Sequence, residues 1–188
     1  MRTANYPDEV LIKDALQIYF AKYHFDSGGY NDKYFKIKIG SVFIPVPNTK
    51  SRLKAVRFHD IHHLLTEYPA LWKGEVEIAA WEIASSCGKF LIAWLLNFGS
   101  FAIGLFLYPV ALYKAFMTGR SVNNNLYHNY IYDDHLLNRT LGELRKEMGI
   151  GLPKNNTFQD KIYFICITLL ILSVILAPVL LLYHIFKL

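Results

Sequence analysis

"RFHDIHHLLTEYPALWKGEVEIAAWE", residues 57–82, sets three histidines, one aspartate and four glutamates among apolar residues. The apolar residues recur at helical spacing, which predicts one helix over about 51–66 and another over about 74–86. Ser51 is the predicted N-cap of the first helix, and Pro69 marks the turn between the two. The stretch therefore predicts a pair of helices that carries many side chains able to bind a metal.

Four of these side chains are candidate metal ligands. His59 and His63 are four residues apart, so a helix directs both rings from one face. Asp60 follows His59 and can reach the same side, while Glu75 opens the next helix, which an antiparallel arrangement brings back towards the imidazoles. Two imidazoles with one or two carboxylates suit Zn²⁺, Fe²⁺ or Mn²⁺. The predicted ligands are therefore His59, Asp60, His63 and Glu75, with open positions left for water, oxygen or substrate.

Each candidate also has an explanation that needs no metal. The two histidines can flank a helix surface, Asp60 can pair with Arg57, and Glu75 can favour the positive end of a helix dipole. His62 is either a competing ligand or a residue behind the ligands or at the surface. Glu82, seven residues after Glu75, is either an acceptor behind the ligands or a buried carboxylate paired elsewhere. The predicted catalytic role of His62 and Glu82 is proton relay.

The spacing H-D-x-x-H-x11-E resembles the metal motif of a coenzyme Q (ubiquinone) biosynthesis family. A later stretch, "YDDHLLNRTLGELRKEMGIGLP" at 132–153, is similar to the closing element of that family. The resemblance covers about residues 50–90 and 125–153, whereas 25–48 do not match. Family members are typically peripheral on the membrane, so the apolar C-terminal segment of this chain looks additional. Beyond the motif, the shared positions are Leu64, Leu65, Pro69, Gly74 and Glu82.

The resemblance implies a divalent metal and a role in making ubiquinone. The implied reaction is the oxidative removal of a ring carboxylate, with replacement by hydroxyl, from a polyprenylated aromatic precursor held in the membrane. In this interpretation the metal faces a groove lined by residues 90–116. The family is also linked to organising the biosynthetic proteins, so a non-catalytic lipid-binding scaffold is the alternative. A metal-dependent hydrolase is a third reading, because H-D-x-x-H is similar to the H-E-x-x-H motif of zinc proteases. An oligomer is compatible with each reading.

A second segment predicts a membrane anchor. Residues 162–186, "IYFICITLLILSVILAPVLLLYHIF", contain no Asp, Glu, Lys or Arg and exceed the roughly 20 residues that cross a bilayer. Lys161 and Lys187 flank the segment, and Tyr163 and Tyr183 stand where interfacial aromatic residues are found. We therefore expect a C-terminal transmembrane helix.

Another apolar stretch, residues 90–116, is interrupted by "NFGS" at 97–100 and by Pro109. These interruptions predict two shorter helices that dip into the membrane, or are covered by protein, and return to the starting face. The alternative is a second spanning helix. That alternative would place residues 125–153 on the opposite side of the membrane from the metal motif.

The remaining sequence completes a mainly α prediction. Apolar spacing predicts a helix over 8–24 and an amphipathic helix over about 133–148. Alternating residues predict a small β-hairpin near 34–46, which Pro45 and Pro47 should end. The predicted organisation is a helical metal-binding domain over 1–160 and an anchor over 161–188.

Composition restricts the partners. The net charge of +5 suits anionic lipid headgroups, while no basic block or nucleic-acid motif indicates DNA or RNA as a partner. The first ten residues, "MRTANYPDEV", have no apolar core, so no secretory signal or transit peptide is expected. Lys and Arg concentrate before the C-terminal segment, which predicts that the globular part faces the bacterial cytoplasm or the mitochondrial matrix from the inner membrane.

Overall fold

The computed structural model describes residues 6–25, 30, 32–39, 42–152 and 155–187. Within them the chain is mainly helical with one hairpin, which confirms the predicted fold class. The elements are α1 Ile12–Tyr23, β1 Tyr34–Ile39, β2 Val42–Pro47, α2 Lys50–Thr66, α3 Trp72–Ser85, α4 Leu91–Leu107, α5 Pro109–Ser121, α6 Leu126–Asn129, α7 Asp134–Leu137, α8 Leu141–Met148 and α9 Phe158–Lys187.

The predicted hairpin is present, and β1 and β2 pair antiparallel from Tyr34 opposite Pro47 to Ile39 opposite Val42. The prediction that Pro45 ends the strand is wrong, because β2 continues to Pro47. A two-stranded sheet leaves one edge of each strand unpaired, so a proline on that edge removes no ladder hydrogen bond. The predicted turn at residues 40–41 lies outside the described residues.

Helix α1 begins four residues later than the sequence predicts. Residues 8–11 instead lie beside the start of α8: the backbone N–H of Leu141 donates to the carbonyl of Val10, and that of Gly142 to the carbonyl of Asp8. Leu11 also forms an isolated antiparallel bridge with Thr140. The carbonyl groups of Asp8 and Val10 accept hydrogen bonds from another segment, so apolar spacing placed the helix start too early.

Helices α3, α4 and α5 run up, down and up against one another. A Cβ on Gly104 of α4 would lie 2.3 Å from Val76 of α3, and a Cβ on Gly119 of α5 would lie 2.5 Å from the carbonyl oxygen of Trp81. The early part of α3 therefore lies beside the end of α4, and its late part beside the end of α5. As a result, the α4–α5 connection at Tyr108 lies level with the start of α3.

The predicted break at 97–100 is wrong, since α4 is continuous through these residues. Asn97 does not interrupt the helix because its side chain donates to Glu82 of α3 instead of competing for backbone groups. The break falls at Tyr108, after which Pro109 opens α5, a position where the missing N–H of proline has no cost.

The chain then returns to α2, as the sequence predicts for a pair of dipping helices. The guanidinium of Arg145 in α8 donates to the carbonyl oxygens of Leu64 and Leu65 at the end of α2. The single helix predicted over 133–148 is wrong, because it is divided into α7 and α8. Thr140 caps α8 through a capping box with Glu143, a signal that the sequence T-x-x-E carries.

Helix α9 is long and apolar enough over Phe158–Ala177 to cross a membrane. Its first part lies antiparallel to α5. Asp160 pairs with Arg120 at 2.8 Å, and the ring of Phe164 lies 5.0 Å from that of Tyr113. Residues 172–187 extend beyond the α4–α5 connection by about 24 Å at 1.5 Å per residue.

Large apolar side chains are exposed at that same end of the molecule. We call this set the apolar end, and its members are 48–71 % exposed. They come from the N-cap and first turn of α3, the last turn of α4 and the first turn of α5, so they surround the α4–α5 connection. The apolar end comprises Leu71, Trp72, Phe106, Leu107 and Val110.

Candidate metal centre

Helices α2 and α3 bring two imidazoles and one carboxylate together. The Nε2 atoms of His59 and His63 are 3.1 Å apart, and each lies 3.5 Å from an oxygen of Glu75. One ligand atom from each of the three residues lies within 4.8 Å of the others. The predicted convergence of His59, His63 and Glu75 is confirmed.

The hydrogen bonds behind the rings define which nitrogens can bind a metal. His63 Nδ1 is 2.8 Å from the carbonyl oxygen of Tyr68, which can only accept, so Nδ1 carries the proton and Nε2 a lone pair. His59 Nδ1 is 2.9 Å from Oε1 of Glu82 and donates to that carboxylate. Both metal-facing nitrogens are thus fixed by a partner on the other side of the ring, as is usual for histidine ligands.

This arrangement fits a divalent cation. Two lone pairs 3.1 Å apart repel each other unless a positive charge lies between them. Two nitrogen ligands at 2.0–2.1 Å from one ion are about 2.8–3.4 Å apart at angles of 90–109°. The Glu75 carboxylate supplies a third donor and a negative charge. The donor set therefore suits one ion with three protein ligands.

The electrostatics show how strongly the cluster attracts positive charge. Burial disfavours the charged form of His59, but the carboxylates of Glu82 and Glu75 outweigh it and raise its pKa well above the usual value. Burial opposes ionisation of Glu75 as well, yet His63 and His59 hold the pKa of Glu75 below its usual range. Positive charge, carried by a proton in the metal-free protein or by a metal ion, is therefore favoured between these three residues.

Glu82 lies behind the ligands and accepts four hydrogen bonds. Its Oε1 accepts from Nδ1 of His59 at 2.9 Å and of His62 at 2.7 Å. Its Oε2 accepts from the amide of Asn97 at 2.6 Å and the hydroxyl of Tyr127 at 3.1 Å. Glu82 is fully buried. Glu82 is therefore the acceptor that orients His59. This is one of the two roles that the sequence left open for Glu82.

His62 is not a ligand. Its ring is fully buried, Nδ1 donates to Glu82, and Nε2 accepts the backbone N–H of Leu126 at 3.1 Å. Both nitrogens are used to join α2 to α3 and α6. A proton relay through His62 would have to pass through Glu82, so the catalytic role of these two residues stays a prediction.

Asp60 lies outside the converging group, which corrects the predicted four-ligand set. Successive helical residues are turned by about 100°, so Asp60 faces away from the direction shared by His59 and His63. Its carboxylate accepts from the hydroxyl of Tyr30 at 2.5 Å. Burial raises the pKa of Asp60 to about 6, although His59 opposes the shift.

The sequence predicted that residues 90–116 line a groove facing the metal, but the structure places these helices elsewhere. Helices α4 and α5 pack mainly on the face of α3 that carries Val76, Ala80 and Ala84, not over the metal ligands. From this segment, Asn97 reaches the centre, through Glu82. Sequence spacing did not identify Asn97, although an amide inside the charge-free stretch 91–107 is a signal of a buried polar contact.

Gly74 allows the turn that positions two parts of the centre. A Cβ at this position would lie 1.8 Å from the carbonyl oxygen of Pro69. Tyr68, which directly precedes Pro69, accepts a hydrogen bond from His63 through its carbonyl oxygen. Glu75 directly follows Gly74. The close approach of turn and helix therefore requires glycine.

We expect Gly74→Ala to destabilise the protein by about 2–3 kcal/mol, as overpacking does, and to weaken metal binding. Gly99→Ala is the matched control, because nothing lies within 4 Å of its added Cβ, and it should be neutral or stabilising by up to about 1 kcal/mol. Chemical unfolding and metal titration of both variants in mild detergent test this. Equal behaviour of the two variants would contradict the role given to Gly74.

No family model, curated protein or solved structure matches this chain. The assignment of function therefore depends on the chemistry of the centre and on the apolar surfaces around it.

Proposed function

We propose that this protein is a membrane-associated metalloprotein of ubiquinone biosynthesis. His59, His63 and Glu75 hold a divalent ion that takes part in the oxidative decarboxylation of a polyprenylated aromatic acid. The observation that carries the proposal is the convergence of two imidazoles and one carboxylate beside the apolar end, one of the surfaces that expose large apolar side chains. The resemblance of the motif to the ubiquinone-biosynthesis family supports the choice of pathway.

The ligand set suits a catalytic ion. Two histidines and one carboxylate leave coordination positions open, as in non-haem Fe(II) oxygenases and in catalytic zinc sites. Zn²⁺, Fe²⁺ and Mn²⁺ all accept this set. When bound, the ion would polarise the carboxylate and phenol oxygens of the ring, and Fe²⁺ or Mn²⁺ would also add redox chemistry that Zn²⁺ lacks.

The overall reaction sets a further requirement. An aromatic acid, dioxygen, two electrons and two protons give a phenol, carbon dioxide and water. Two electrons come from the carbon–carboxylate bond, and the other two come from a reductant. We therefore expect turnover to need dioxygen and a two-electron donor as well as the ion.

The position of the centre fits a substrate with a long apolar tail. The backbone N–H of Glu75 donates at 2.9 Å to the carbonyl of Leu71, so the ligand lies one helical turn from the apolar end. Trp72, the exposed neighbour of Leu71 in the apolar end, is of a residue type found at membrane interfaces. A prenyl tail can remain in the bilayer while the aromatic ring reaches Glu75, which is partly exposed.

The membrane arrangement follows from the same features. Helix α9 crosses the bilayer, and the apolar end enters the leaflet beside it. The globular part then lies on one face, which we place in the bacterial cytoplasm or the mitochondrial matrix. Prenylated aromatic lipids, the membrane and other quinone-biosynthesis proteins are the proposed partners.

A scaffold without catalysis is the second candidate, and the burial of His63 favours it. This ring is 1 % exposed, as in sites where a metal only fixes two helices. In that case substitutions in the centre would disturb assembly with partner proteins as much as turnover. The hydrolase alternative gains no support, because Asp60, the counterpart of the acidic base in H-E-x-x-H, is bound to Tyr30 away from the centre.

The test is metal analysis and lipid mass spectrometry on one sample of the full chain, purified in mild detergent. We expect about one divalent ion per chain and a retained prenylated ring acid. Chelation should abolish ring turnover, and readdition of the ion should restore it. Full turnover by the metal-free protein, or a sample with neither ion nor ring acid, would overturn the proposal.

A further inference from the structure

Arg145 of α8 makes five hydrogen bonds, as many as its guanidinium has N–H groups. Nε donates to the carbonyl of Leu65 at 3.1 Å, and Nη2 to that of Leu64 at 2.9 Å. Nη2 also donates to the carboxylate of Glu67 at 3.3 Å. Nη1 donates twice to the N-terminal segment 6–8. The guanidinium therefore caps the end of α2 and is itself fixed in place, with its side chain 13 % exposed.

Glu67 ends α2 in a backbone conformation that its side chain does not favour. Its φ of 60° and ψ of 16° lie in the left-handed region, which is unfavourable for a residue with a Cβ. Helix α8 ends in the same conformation at Gly149, which has no Cβ. At Glu67 the ion pair with Arg145 joins two mostly buried side chains. The pair therefore offsets a backbone cost that a glycine would avoid.

The turn after Glu67 places a carbonyl oxygen against a metal ligand. The left-handed residue reverses the chain, and the carbonyl oxygen of Tyr68 lies 2.8 Å from Nδ1 of His63. Tyr19 stacks on the same ring with centroids 5.8 Å apart, but a stacked ring presents the same face whichever nitrogen carries the proton. The hydrogen bond to Tyr68 therefore decides the tautomer. Without it, the ring is free to carry its proton on Nε2, where the proton blocks the metal.

We propose that Arg145 is a positioning residue of the metal centre. By holding Glu67 in the left-handed conformation, it keeps the carbonyl of Tyr68 against His63 and leaves Nε2 available to an ion. Gly74 fixes the far end of the same turn, and Arg145 fixes its near end. The inference rests on the proposed function for the ion. It adds a determinant of metal affinity that lies 78 positions after Glu67 in the chain.

The first test compares two variants of Glu67 in the full chain in mild detergent. Glu67→Ala and Glu67→Gly both remove the ion pair with Arg145, but only alanine retains the cost of the left-handed conformation. We expect Glu67→Ala to bind metal about fivefold more weakly and Glu67→Gly to bind like the parent. Competition of Zn²⁺ with a chromophoric chelator measures the affinity.

The second readout is the tautomer of His63 in the metal-free protein. The protonated and bare nitrogens of a neutral imidazole give well-separated ¹⁵N resonances in a chain with labelled histidine. The Nε2–H form of His63 should be more populated in Glu67→Ala than in Glu67→Gly or the parent. A residue that only stabilised the fold would change the free energy of unfolding without changing this population.

The third test removes the guanidinium. Arg145→Met is expected to weaken metal binding by about tenfold, as at the lower limit for a partner behind a ligand, and to raise the Nε2–H population of His63. Adding Glu67→Gly to Arg145→Met should restore most of the affinity, because glycine adopts the turn unaided. Arg139→Met is the matched control: Arg139 pairs with Glu147, and its loss should leave metal binding unchanged.

Three results would overturn the inference: Glu67→Ala with the affinity and tautomer of the parent, Arg145→Met with reduced stability but neither change, or a folded double variant that binds no better than Arg145→Met. If Arg145→Met does not fold, the comparison at Glu67 decides. The tautomer measurement needs no ion, so it separates the two proposals. The expected tautomer shift without metal uptake by the parent would end the proposed function alone. Metal-dependent turnover with an unchanged tautomer would end the role of Arg145 alone.

Discussion

Replacing Glu82 with alanine is expected to lower the free energy of unfolding of the metal-free protein by about 3–5 kcal/mol. The carboxylate is fully buried and accepts from His59, His62, Asn97 and Tyr127. Burial opposes its ionisation, but His59 and His62 outweigh burial and lower the pKa of Glu82. Removal of the carboxylate leaves four donors without their acceptor, three of them buried, and such groups are costly in a low-dielectric interior.

Glu77→Ala is the matched control on the same helix. Glu77 makes one ion pair, at 3.0 Å with the exposed Lys73, and its own side chain is 13 % exposed, so its loss should cost less than about 2 kcal/mol. Denaturant unfolding of both variants and the parent, after chelation, gives the comparison. A similar small loss in both variants would show that the Glu82 network does not stabilise the fold.

Glu75→Gln is expected to weaken metal binding by about 100-fold or more, and to lower the stability of the metal-free protein less than Glu82→Ala does, because only the ion pairs with His59 and His63 are lost. Loss of a group behind a ligand typically costs 10–100-fold, and Glu75 faces the two Nε2 atoms directly. Its side chain is 39 % exposed, so the amide is accommodated without disturbing the core. Competition with a chromophoric chelator measures the affinity at fixed pH.

Glu77→Gln makes the same change of charge two residues away, outside the converging group, and should bind metal like the parent. Loss of affinity in both variants would indicate a general effect of negative charge on this helix. Unchanged affinity in Glu75→Gln would remove Glu75 from the ligand set.

The sequence predicted the parts of the centre that depend on local periodicity. The spacing of His59 and His63 is enough to place both rings on one face, and a turn at Pro69 is enough to bring Glu75 back. The prediction of Asp60 as a ligand was wrong because neighbours in the sequence point in different directions on a helix. Its partner, Tyr30, comes from a distant segment that spacing does not locate.

The network behind the ligands was largely beyond sequence reasoning. Glu82 was recognised as a candidate acceptor, but Asn97 and Tyr127 meet it only through tertiary packing. The break in α4 was misplaced for a related reason. Asn97 and Gly99 look like helix-ending residues when read locally, whereas the partner of Asn97 lies on another helix and Gly99 is accommodated in α4.

Three other helices donate hydrogen bonds to Glu82, and this affects when during folding the centre can be completed. The donors come from α2, α4 and α6, which are separated by up to 68 positions from His59 to Tyr127. A nascent chain in which α2 and α3 have emerged lacks two of the four donors to Glu82, the acceptor that orients His59. Loading of the proposed ion is therefore expected to be a late maturation step, after α4 to α6 have emerged and the chain has folded back.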